Sequence, residues 1–250
     1  MADTPTKQAI TTHHRLTVHR QLGPLALDAD LSVRAPWTLI YGPSGSGKTS
    51  LLHAACGFLG HKGITFTRAL PGQAPQELIS TRRALPPHEL GLSYAPQQPT
   101  IFPHLRVLEN ITFGATSRGL TTSSSSTITE LLDVFELDGF LTRRPHELSG
   151  GERQRVSLAR AFAVPDVKLM LLDEPFSGVD RPTRDRLLPR MLHFLSNRNI
   201  PVLSVSHDVD EAMLLSAEVV QLRAGRIIKQ GPAAEVLAED RKRMLHALGV

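Results

Sequence analysis

The chain has 250 residues, of which 41% are hydrophobic and 21% charged, with a formal net charge of +4, and these ordinary globular values allow one large α/β domain or two small ones. Its single cysteine, Cys56, excludes a disulfide framework and fits a reducing compartment. No apolar run approaches the roughly 20 residues that cross a bilayer, and the basic residues are scattered, so we expect neither a membrane span nor a nucleic-acid surface.

The first predicted elements are strands, followed by a glycine-rich turn and a helix. Residues 15–41 alternate apolar and polar side chains, which predicts strands, and Trp37–Tyr41 is a short apolar run that stops at Gly42-Pro43. Residues 49–58 place apolar side chains on one side of a helix. The predicted order is therefore strand, glycine-rich loop, helix.

The loop in this unit has the pattern G-x-x-x-x-G-K-[ST], which is typical of a nucleotide phosphate site. Glycines let the backbone curl until several N–H groups point at one phosphate, and the following helix adds the positive end of its dipole. We expect Lys48 to neutralise β- and γ-phosphate oxygens and the Thr49 hydroxyl to ligate Mg²⁺. The alternative, a chance Gly/Ser loop, is disfavoured by the flanking strand and helix. The residues predicted to bind the nucleotide are Gly42, Pro43, Ser44, Gly45, Ser46, Gly47, Lys48, Thr49 and Ser50.

The middle of the chain is predicted to be mainly helical. Residues 60–90 are rich in Gly, Pro and polar side chains, with one strand near 64–66, and residues 90–95 form another strand. Residues 103–160 have helical character, apart from a Thr/Ser run at 121–127 that suggests a flexible loop. This helical stretch lies between two groups of predicted strands.

Within that stretch, Ser149, Gly150, Gly151 and Glu152 open a predicted helix. Bare N–H groups, a hydroxyl and the positive end of the helix dipole make such a start a possible second anion site. One nucleotide needs only one phosphate loop, so a second anion site suggests a second use. For an isolated Ser-Gly-Gly, an ordinary helix cap would be the better interpretation.

Two short apolar runs, residues 167–172 and 201–206, are typical of buried parallel strands. The first is followed by Asp173 and Glu174. We expect Asp173 to hold Mg²⁺ through water and Glu174 to orient or deprotonate the attacking water. The alternative is a turn at a strand end, and the phosphate loop makes the functional interpretation the stronger one.

The last predicted elements are a strand pair and a helix. Residues 217–222 and 226–229 are expected to pair around a turn, and residues 232–248 to form one amphipathic helix. We find no internal repeat in the sequence.

The segment LSGGERQRVSLARAF, residues 148–162, is similar to the signature segment of the ATP-binding-cassette ATPases. Gln97 resembles the Q-loop glutamine of that family, residues 177–180 its D-loop, and His207 its switch histidine. A lone glutamine or histidine would be an ordinary polar residue, but these elements occur together in the expected order. The resemblance covers nearly the whole chain, from about residue 16 to about residue 237.

The resemblance implies an α/β fold: a P-loop NTPase (RecA-like) core with an N-terminal antiparallel β region and an inserted helical subdomain. We expect a single domain over residues 1–250, with the core at about 15–98 and 161–250 and the helical subdomain at about 99–160. It also implies ATP as the nucleotide and Mg²⁺ as the metal cofactor.

In this family two such domains dimerise head to tail, and each ATP lies between the phosphate loop of one chain and the Ser-Gly-Gly of the other. By resemblance, His207 contacts the γ-phosphate, Gln97 touches Mg²⁺ or the attacking water, and Asp180 lies at the dimer interface. The residues expected to be catalytic are Lys48, Gln97, Glu174 and His207, those expected to ligate the metal are Thr49, Gln97 and Asp173, and those expected to contact the partner chain's ATP are Ser149, Gly150, Gly151 and Glu152.

The function implied by the resemblance is ATP hydrolysis that drives import. The expected partners are an identical chain or a second such ATPase, integral membrane permease subunits to which Gln97 links the site and, indirectly, a substrate-binding protein. The expected location is peripheral, on the cytoplasmic face of the cell membrane. One alternative is a soluble cassette acting on ribosomes or DNA, and another is a binding module without hydrolysis. The latter is disfavoured by intact Lys48, Glu174 and His207.

Residues 102–110 and 145–147 resemble prokaryotic importer ATPases, and residues 86–94 and 22–30 most resemble the molybdate-type and related oxyanion importers among them. Molybdate importer ATPases usually carry an extra C-terminal β domain, which we do not expect in this chain. The sequence also departs from the family because residues 1–36 contain no aromatic residue to stack on adenine. Counting back from the phosphate loop suggests that His19 or Arg20 takes that place. The transported solute stays open.

Overall fold

The computed structural model describes residues 12–116 and 125–247. Within these ranges ten strands form one sheet, in the order β5-β4-β1-β2-β10-β9-β3-β8-β7-β6. The strands are β1 (His13–Leu22), β2 (Leu25–Val33), β3 (Trp37–Tyr41), β4 (Ile64–Ala69), β5 (Gln76–Ile79), β6 (Leu92–Ala95), β7 (Leu169–Asp173), β8 (Val202–Val205), β9 (Glu218–Arg223) and β10 (Arg226–Pro232).

Eight α-helices accompany the sheet in the same part of the chain. They are α1 (Lys48–Ala55), α2 (Val107–Thr116), α3 (Ser125–Phe135), α4 (Gly150–Phe162), α5 (Arg181–Ser196), α6 (Val209–Leu214), α7 (Ala233–Val236) and α8 (Ala238–Ala247). None of these helices combines the length and the hydropathy of a membrane span.

One side of the sheet is antiparallel, as the fold class predicted. β1 pairs antiparallel with β2 and β4, and β4 pairs with β5. Alternate residues of β1 are buried, and Leu16 lies opposite Leu31 on β2 and Phe66 on β4. The alternation follows from the two-residue period of a strand with one face on the core.

The other side of the sheet is parallel: β9, β3, β8, β7 and β6 are neighbours running in one direction. All five residues of β7 are buried, which explains its uninterrupted apolar sequence up to the final aspartate. Parallel strands end at the same edge of a sheet. The residues after β3, β6, β7 and β8 therefore meet there, and these are the phosphate loop, Gln97, Glu174 and His207.

The core lies on both faces of this sheet. On one face α1 packs with the antiparallel strands through residues such as Leu51 and Leu52. On the other face the rings of Phe135 on α3, Phe162 on α4 and Phe194 on α5 contact in sequence, with centroids 5.0 Å and 5.9 Å apart. The helices between β6 and β7 are therefore held to α5, the helix that follows the acidic pair.

Two predictions of secondary structure were wrong. Residues 125–127 of the Thr/Ser run begin α3 rather than forming a loop, because the apolar face that follows anchors the helix and hydroxyl side chains are tolerated at its start. Residues 121–124 lie outside the described ranges. The predicted single helix at 232–248 is two helices, α7 and α8, which meet at the fully buried Leu237. The expected boundaries of the core and helical subdomain stay a prediction.

Candidate active site

The phosphate loop, residues 42–49, leads from β3 into α1. Gly45 and Gly47 have φ angles of 77° and 102°, in the left-handed region that side chains disfavour. A Cβ at Gly42 would lie 2.1 Å from the carbonyl oxygen of Leu222. The backbone therefore requires the glycines of the motif.

Lys48 and Ser46 are the buried polar side chains of this loop. The Lys48 Nζ donates hydrogen bonds to the carbonyl oxygens of Gly42 at 2.9 Å and Pro43 at 3.0 Å. The Ser46 hydroxyl is buried and has no hydrogen-bond partner among the described residues. A buried cation, an unpaired hydroxyl and the N-terminus of α1 together suit an anion such as phosphate.

Two of the three predicted metal ligands are in contact. The Thr49 hydroxyl donates to Asp173 Oδ1 at 3.1 Å. Burial raises the pKa of the Asp173 carboxyl group above its usual value, so a cation at this point would favour its ionised form. A hydroxyl and a carboxylate are oxygen donors, which Mg²⁺ prefers. The described residues contain no cluster of three or more His, Cys, Asp or Glu side chains that could hold a metal elsewhere.

Glu174 lies between Gln97 and His207. The Gln97 amide donates to Glu174 Oε2 at 3.2 Å, and the His207 Nδ1 lies 3.4 Å from Glu174 Oε1. Glu174 has a φ of 44°, unusual for a residue with a side chain, and its N–H donates to the Val205 carbonyl at 3.0 Å. The third predicted metal ligand, Gln97, is thus placed against the predicted base. A carboxylate flanked by an amide and an imidazole suits a group that accepts a proton from water.

The Ser-Gly-Gly segment forms a complete helix cap. The Ser149 N–H donates to Glu152 Oε2 at 2.6 Å, and the Glu152 N–H donates to the Ser149 hydroxyl at 3.3 Å. This reciprocal pair lowers the pKa of the Glu152 carboxyl, chiefly through the Ser149 N–H. The Ser-Gly-Gly segment therefore forms an ordinary helix cap, the alternative interpretation given above. Such a cap is compatible with a second role.

The same segment adjoins the D-loop of its own chain. A Cβ at Gly151 would lie 3.2 Å from the Gly178 carbonyl oxygen, and the Gln154 amide donates to the Pro175 carbonyl at 2.9 Å. At Gly150, by contrast, a Cβ would meet nothing within 4 Å. The start of α4 is therefore packed on one side and open on the other, where a ligand could approach its N–H groups.

Asp180 caps α5. Its Oδ1 accepts a hydrogen bond from the Thr183 N–H at 2.9 Å, and this bond lowers the pKa of the Asp180 carboxyl. The side chain is exposed at the start of the helix. Sequence reasoning gave Asp180 a dimer contact and missed this cap, which the pattern of Asp180 followed by Pro182 at a helix start could have revealed.

His19 and Arg20, the two residues suggested for stacking on adenine, contact other residues of the chain. His19 points to the exposed face of β1, where its Nδ1 lies 2.7 Å from Asp28 Oδ1. The Arg20 guanidinium donates to the Leu59 carbonyl. Near the phosphate loop lies Leu25 instead, with its Cδ2 3.1 Å from where a Cβ of Gly47 would be. Both predicted residues therefore have partners within their own chain, and the residue that meets the base stays a prediction.

Sequence reasoning missed Tyr94 and His53. The Tyr94 hydroxyl donates to Asp173 Oδ2 at 3.4 Å and lies 3.2 Å from His53 Nε2. The contact arises because β6 and β7 are neighbours with Tyr94 opposite Leu171. No local sequence signal gives that register.

A groove of about 320 Å³ lies beside this tyrosine, between β6 and the helices α2 and α4. Its wall includes Phe113, which is 43% exposed, and Phe102, whose ring lies 5.0 Å from the guanidinium carbon of Arg160. Tyr94 lines the groove as well as contacting Asp173. An accessible apolar surface therefore lies next to the predicted metal ligand.

Comparison with known proteins gives concordant matches. A family model described as ABC transporter matches residues 28–177, more than half of the chain. The Fe(3+) ions import ATP-binding protein FbpC of Pseudomonas fluorescens is 39% identical over 229 residues, which are 90% of this chain and 62% of that protein. The molybdenum import ATP-binding protein ModC of Rhodopseudomonas palustris is 36% identical over 87% of this chain and 56% of its own length. The chain thus spans roughly three fifths of these relatives.

Two solved structures share the fold. A dimeric bacterial ABC transporter cassette, MJ0796, superposes with a TM-score of 0.70 at 23% identity, covering 88% of this chain and 98% of that one. The cbiO1 protein of Clostridium perfringens, described as part of the cbiONQ ABC transporter complex, gives 0.71 at 20% identity, covering 97% of this chain and all of the other. These similarities confirm the α/β fold class.

Proposed function

Because the chain belongs to the ABC transporter family, we propose that it is the ATP-binding and ATP-hydrolysing subunit of an importer, acting at the cytoplasmic face of the cell membrane. The observation that carries the proposal is the meeting of the phosphate loop with Asp173, Glu174, Gln97 and His207 at one edge of the sheet. An anion site beside a carboxylate held by two polar groups supports hydrolysis rather than binding alone.

ATP binding rests on the loop and Lys48. The loop N–H groups and the Lys48 ammonium neutralise phosphate oxygens, and each glycine keeps the backbone close to the ligand. Mg²⁺ held by Thr49 and Asp173 would neutralise further phosphate charge. The positive groups converge on the terminal phosphates, so release of the γ-phosphate weakens binding.

Hydrolysis rests on Glu174. Its carboxylate accepts a proton from the attacking water, the water oxygen bonds to the γ-phosphorus, and the bond from that phosphorus to the bridging oxygen breaks, giving ADP and phosphate. Gln97 and His207, on either side of Glu174, hold the water and the γ-phosphate in line. This assigns Lys48, Gln97, Glu174 and His207 to catalysis.

The working unit is a dimer, either of two copies or with a second such ATPase. The open side of the α4 start at Gly150 offers N–H groups to a phosphate that another chain carries. Ser149 to Glu152 would then bind the partner's ATP, and Asp180 at the start of α5 would lie in the interface. The dimeric cassette of similar fold supports this arrangement.

Import is supported by the two relatives described above, both of which are named import ATP-binding proteins. Those names favour an inorganic ion, iron or an oxyanion such as molybdate, as the solute. We place permease subunits on the groove beside β6, because Phe113 exposes apolar surface there and Tyr94 connects the groove to Asp173. A substrate-binding protein would act through the permease.

A substitution in the groove tests the proposed permease contact directly. We expect the tagged chain, isolated from host membranes with mild detergent, to carry a multi-span membrane protein with it. Phe113→Asp should abolish this co-purification because it places a charge on the apolar wall, while ATP hydrolysis by the isolated chain stays within about twofold. Ile228→Asp is the matched control, since Ile228 is 55% exposed on β10, outside the groove.

Ribosomes or DNA recovered with the chain in place of a membrane protein would refute the importer role and support the soluble alternative. Equal co-purification by the Phe113 and Ile228 variants would refute the groove as the permease surface.

A further inference from the structure

Two arginines on α5 pair with two aspartates at the start of α6. The Arg184 guanidinium donates to Asp208 Oδ2, and the Arg181 guanidinium donates to Asp210 Oδ2. The Arg184 side chain is 7% exposed, whereas that of Arg181 is 66% exposed. Asp208 and Asp210 are similarly exposed, at 31% and 27%, so the two pairs differ in the burial of the arginine, and the pair with the buried Arg184 is the less screened by salt.

Asp208, the acidic partner of Arg184, lies directly after His207. The Asp208 N–H donates to the Ser206 hydroxyl at 3.1 Å, and Asp208 Oδ1 accepts from the Asp210 N–H at 2.7 Å. The His207 side chain itself is 75% exposed, and it makes an ion-pair contact with Glu174 at 3.4 Å. The imidazole is therefore positioned through the backbone on its C-terminal side, which Asp208 holds.

The D-loop, residues 177–180, leads directly into the end of α5 that carries Arg184. This segment starts where the Ser177 N–H donates to the Glu174 carbonyl at 3.0 Å, and it ends at Asp180, the cap of α5. Gly178 within it is the neighbour of Gly151 at the signature. One turn of helix separates Asp180 from Arg184, so a displacement of the D-loop moves the guanidinium that holds Asp208.

The charge of Arg184 has a partner on its own helix. Its Nε donates to Asp185 Oδ1 at 2.9 Å. The hydrogen bond to Asp208 is therefore a second contact of Arg184, and it joins α5 to the start of α6. Glu211, a buried residue of α6, adds a further carboxyl whose charge acts on Arg184.

We propose that Arg184 is a positioning residue for His207: by holding Asp208 it fixes the imidazole beside Glu174 and couples the D-loop to the catalytic histidine. The proposal rests on the hydrolytic function proposed above. It assigns no contact with nucleotide to Arg184.

The first test is Arg184→Met, which keeps the length and removes the charge. With the full chain and Mg·ATP, kcat should fall about tenfold, which corresponds to an activation barrier higher by about 1.4 kcal/mol, while KM for ATP stays within about twofold because the phosphate loop is untouched. Arg184→Lys should recover part of the rate. Arg186→Met is the matched control on the same helix, since Arg186 is 53% exposed and pairs with Glu136, and its kcat should stay within about twofold.

The second test is a double-mutant cycle with His207→Ala. If Arg184 acts through the histidine, Arg184→Met lowers the single-turnover rate of the His207→Ala variant by less than about twofold. Losses that multiply in the double variant would overturn the proposal, as would an unchanged kcat for Arg184→Met alone. Should thermal unfolding show that Arg184→Met is not folded, Asp208→Asn replaces it in the same cycle with the same expectations.

The failure of the proposed function can be distinguished from the failure of the proposed role of Arg184. An inactive unaltered chain, or a fully active His207→Ala variant, would refute the proposed function. An active chain that is impaired by His207→Ala and indifferent to Arg184→Met would refute only the role of Arg184.

Discussion

The phosphate-loop end and the signature end of this molecule differ in where their polar groups find partners. At the first end, side chains from four strand ends already touch one another, with Thr49 on Asp173 and both Gln97 and His207 on Glu174. At the second end, Ser149 and Glu152 satisfy each other and one side of the helix start is open. At the first end the polar side chains find partners across the fold, whereas at the second they find partners only within the helix start, which is open on one side.

The difference shows that the residues proposed for hydrolysis and the surface proposed to bind the partner's ATP lie at separate ends of one chain. In the proposed dimer, the phosphate-loop end holds ATP and the signature end of the partner chain closes over it. Dimer formation would then depend on the nucleotide, and hydrolysis would remove the charge that joins the two surfaces.

The largest effect is expected from replacing Glu174, the proposed catalytic base at the phosphate-loop end. Glu174→Gln should lower the rate of phosphate release by about 10²–10⁴-fold, because the amide cannot accept the proton from water. ATP should still bind, so an ATP-dependent dimer accumulates in light scattering. Glu77→Gln is the control, since Glu77 is exposed on the edge strand β5. A Glu174→Gln variant with the full rate would remove this residue from the reaction.

Mixing two inactive variants tests whether the ATP site is divided between two chains. Lys48→Ala disables the phosphate loop, and Gly150→Asp places a negative charge at the open side of α4, where a Cβ meets no atom within 4 Å and an acidic residue suits the helix start. Each variant alone should be inactive as a dimer. Random mixing should restore about a quarter of the intact sites, because half the dimers are mixed and each of these pairs one good loop with one good signature.

Gly139→Asp is the control for the mixing experiment, because a Cβ at Gly139 also meets nothing within 4 Å. This variant should be active alone. A mixture of the Lys48 and Gly150 variants that stays inactive, although both are folded and bind each other, would contradict the division of the site between two chains.

What the sequence predicted well was local. The phosphate loop, the acidic pair after β7 and His207 after β8 all follow from short patterns at strand ends, and the confirmed fold class brings those ends to one edge. What it could not give depends on register. Counting along β1 suggested His19 or Arg20 for adenine, and only the structure shows that Val18 is buried while His19 points to solvent.

The same limit explains the other omissions. The contact of Tyr94 with Asp173 needs the pairing of β6 with β7, and that of Arg184 with Asp208 joins residues 24 positions apart. The helix α5 that carries Arg184 contains Pro189, a residue that usually ends a helix, and sequence analysis assigned no element there.

The smallest effect on the reaction is expected at a buried group that belongs to neither end. His14 on β1 is 2% exposed, stacks on Phe66 with centroids 5.7 Å apart, and has no hydrogen-bond partner for either ring nitrogen among the described residues. Burial, with a smaller contribution from Arg68, lowers its pKa from 6.5 to about 3. The folded protein therefore keeps this imidazole neutral, while the unfolded chain protonates it below about pH 6.5.

The unfolded state thus binds more protons between pH 6.5 and pH 3, and stability falls as the pH is lowered through that range. At pH 5 the loss from His14 alone is about 2 kcal/mol relative to neutral pH. His14→Phe should remove this part of the acid sensitivity in urea unfolding at pH 7 and pH 5, while His104→Phe, at an exposed site, should keep it. ATP hydrolysis at pH 7.5 should stay within about twofold in both variants, because neither side chain lies at the phosphate-loop end or the signature end. An equal acid loss in the His14 variant and the unaltered chain would show that the ring is protonated in the folded state.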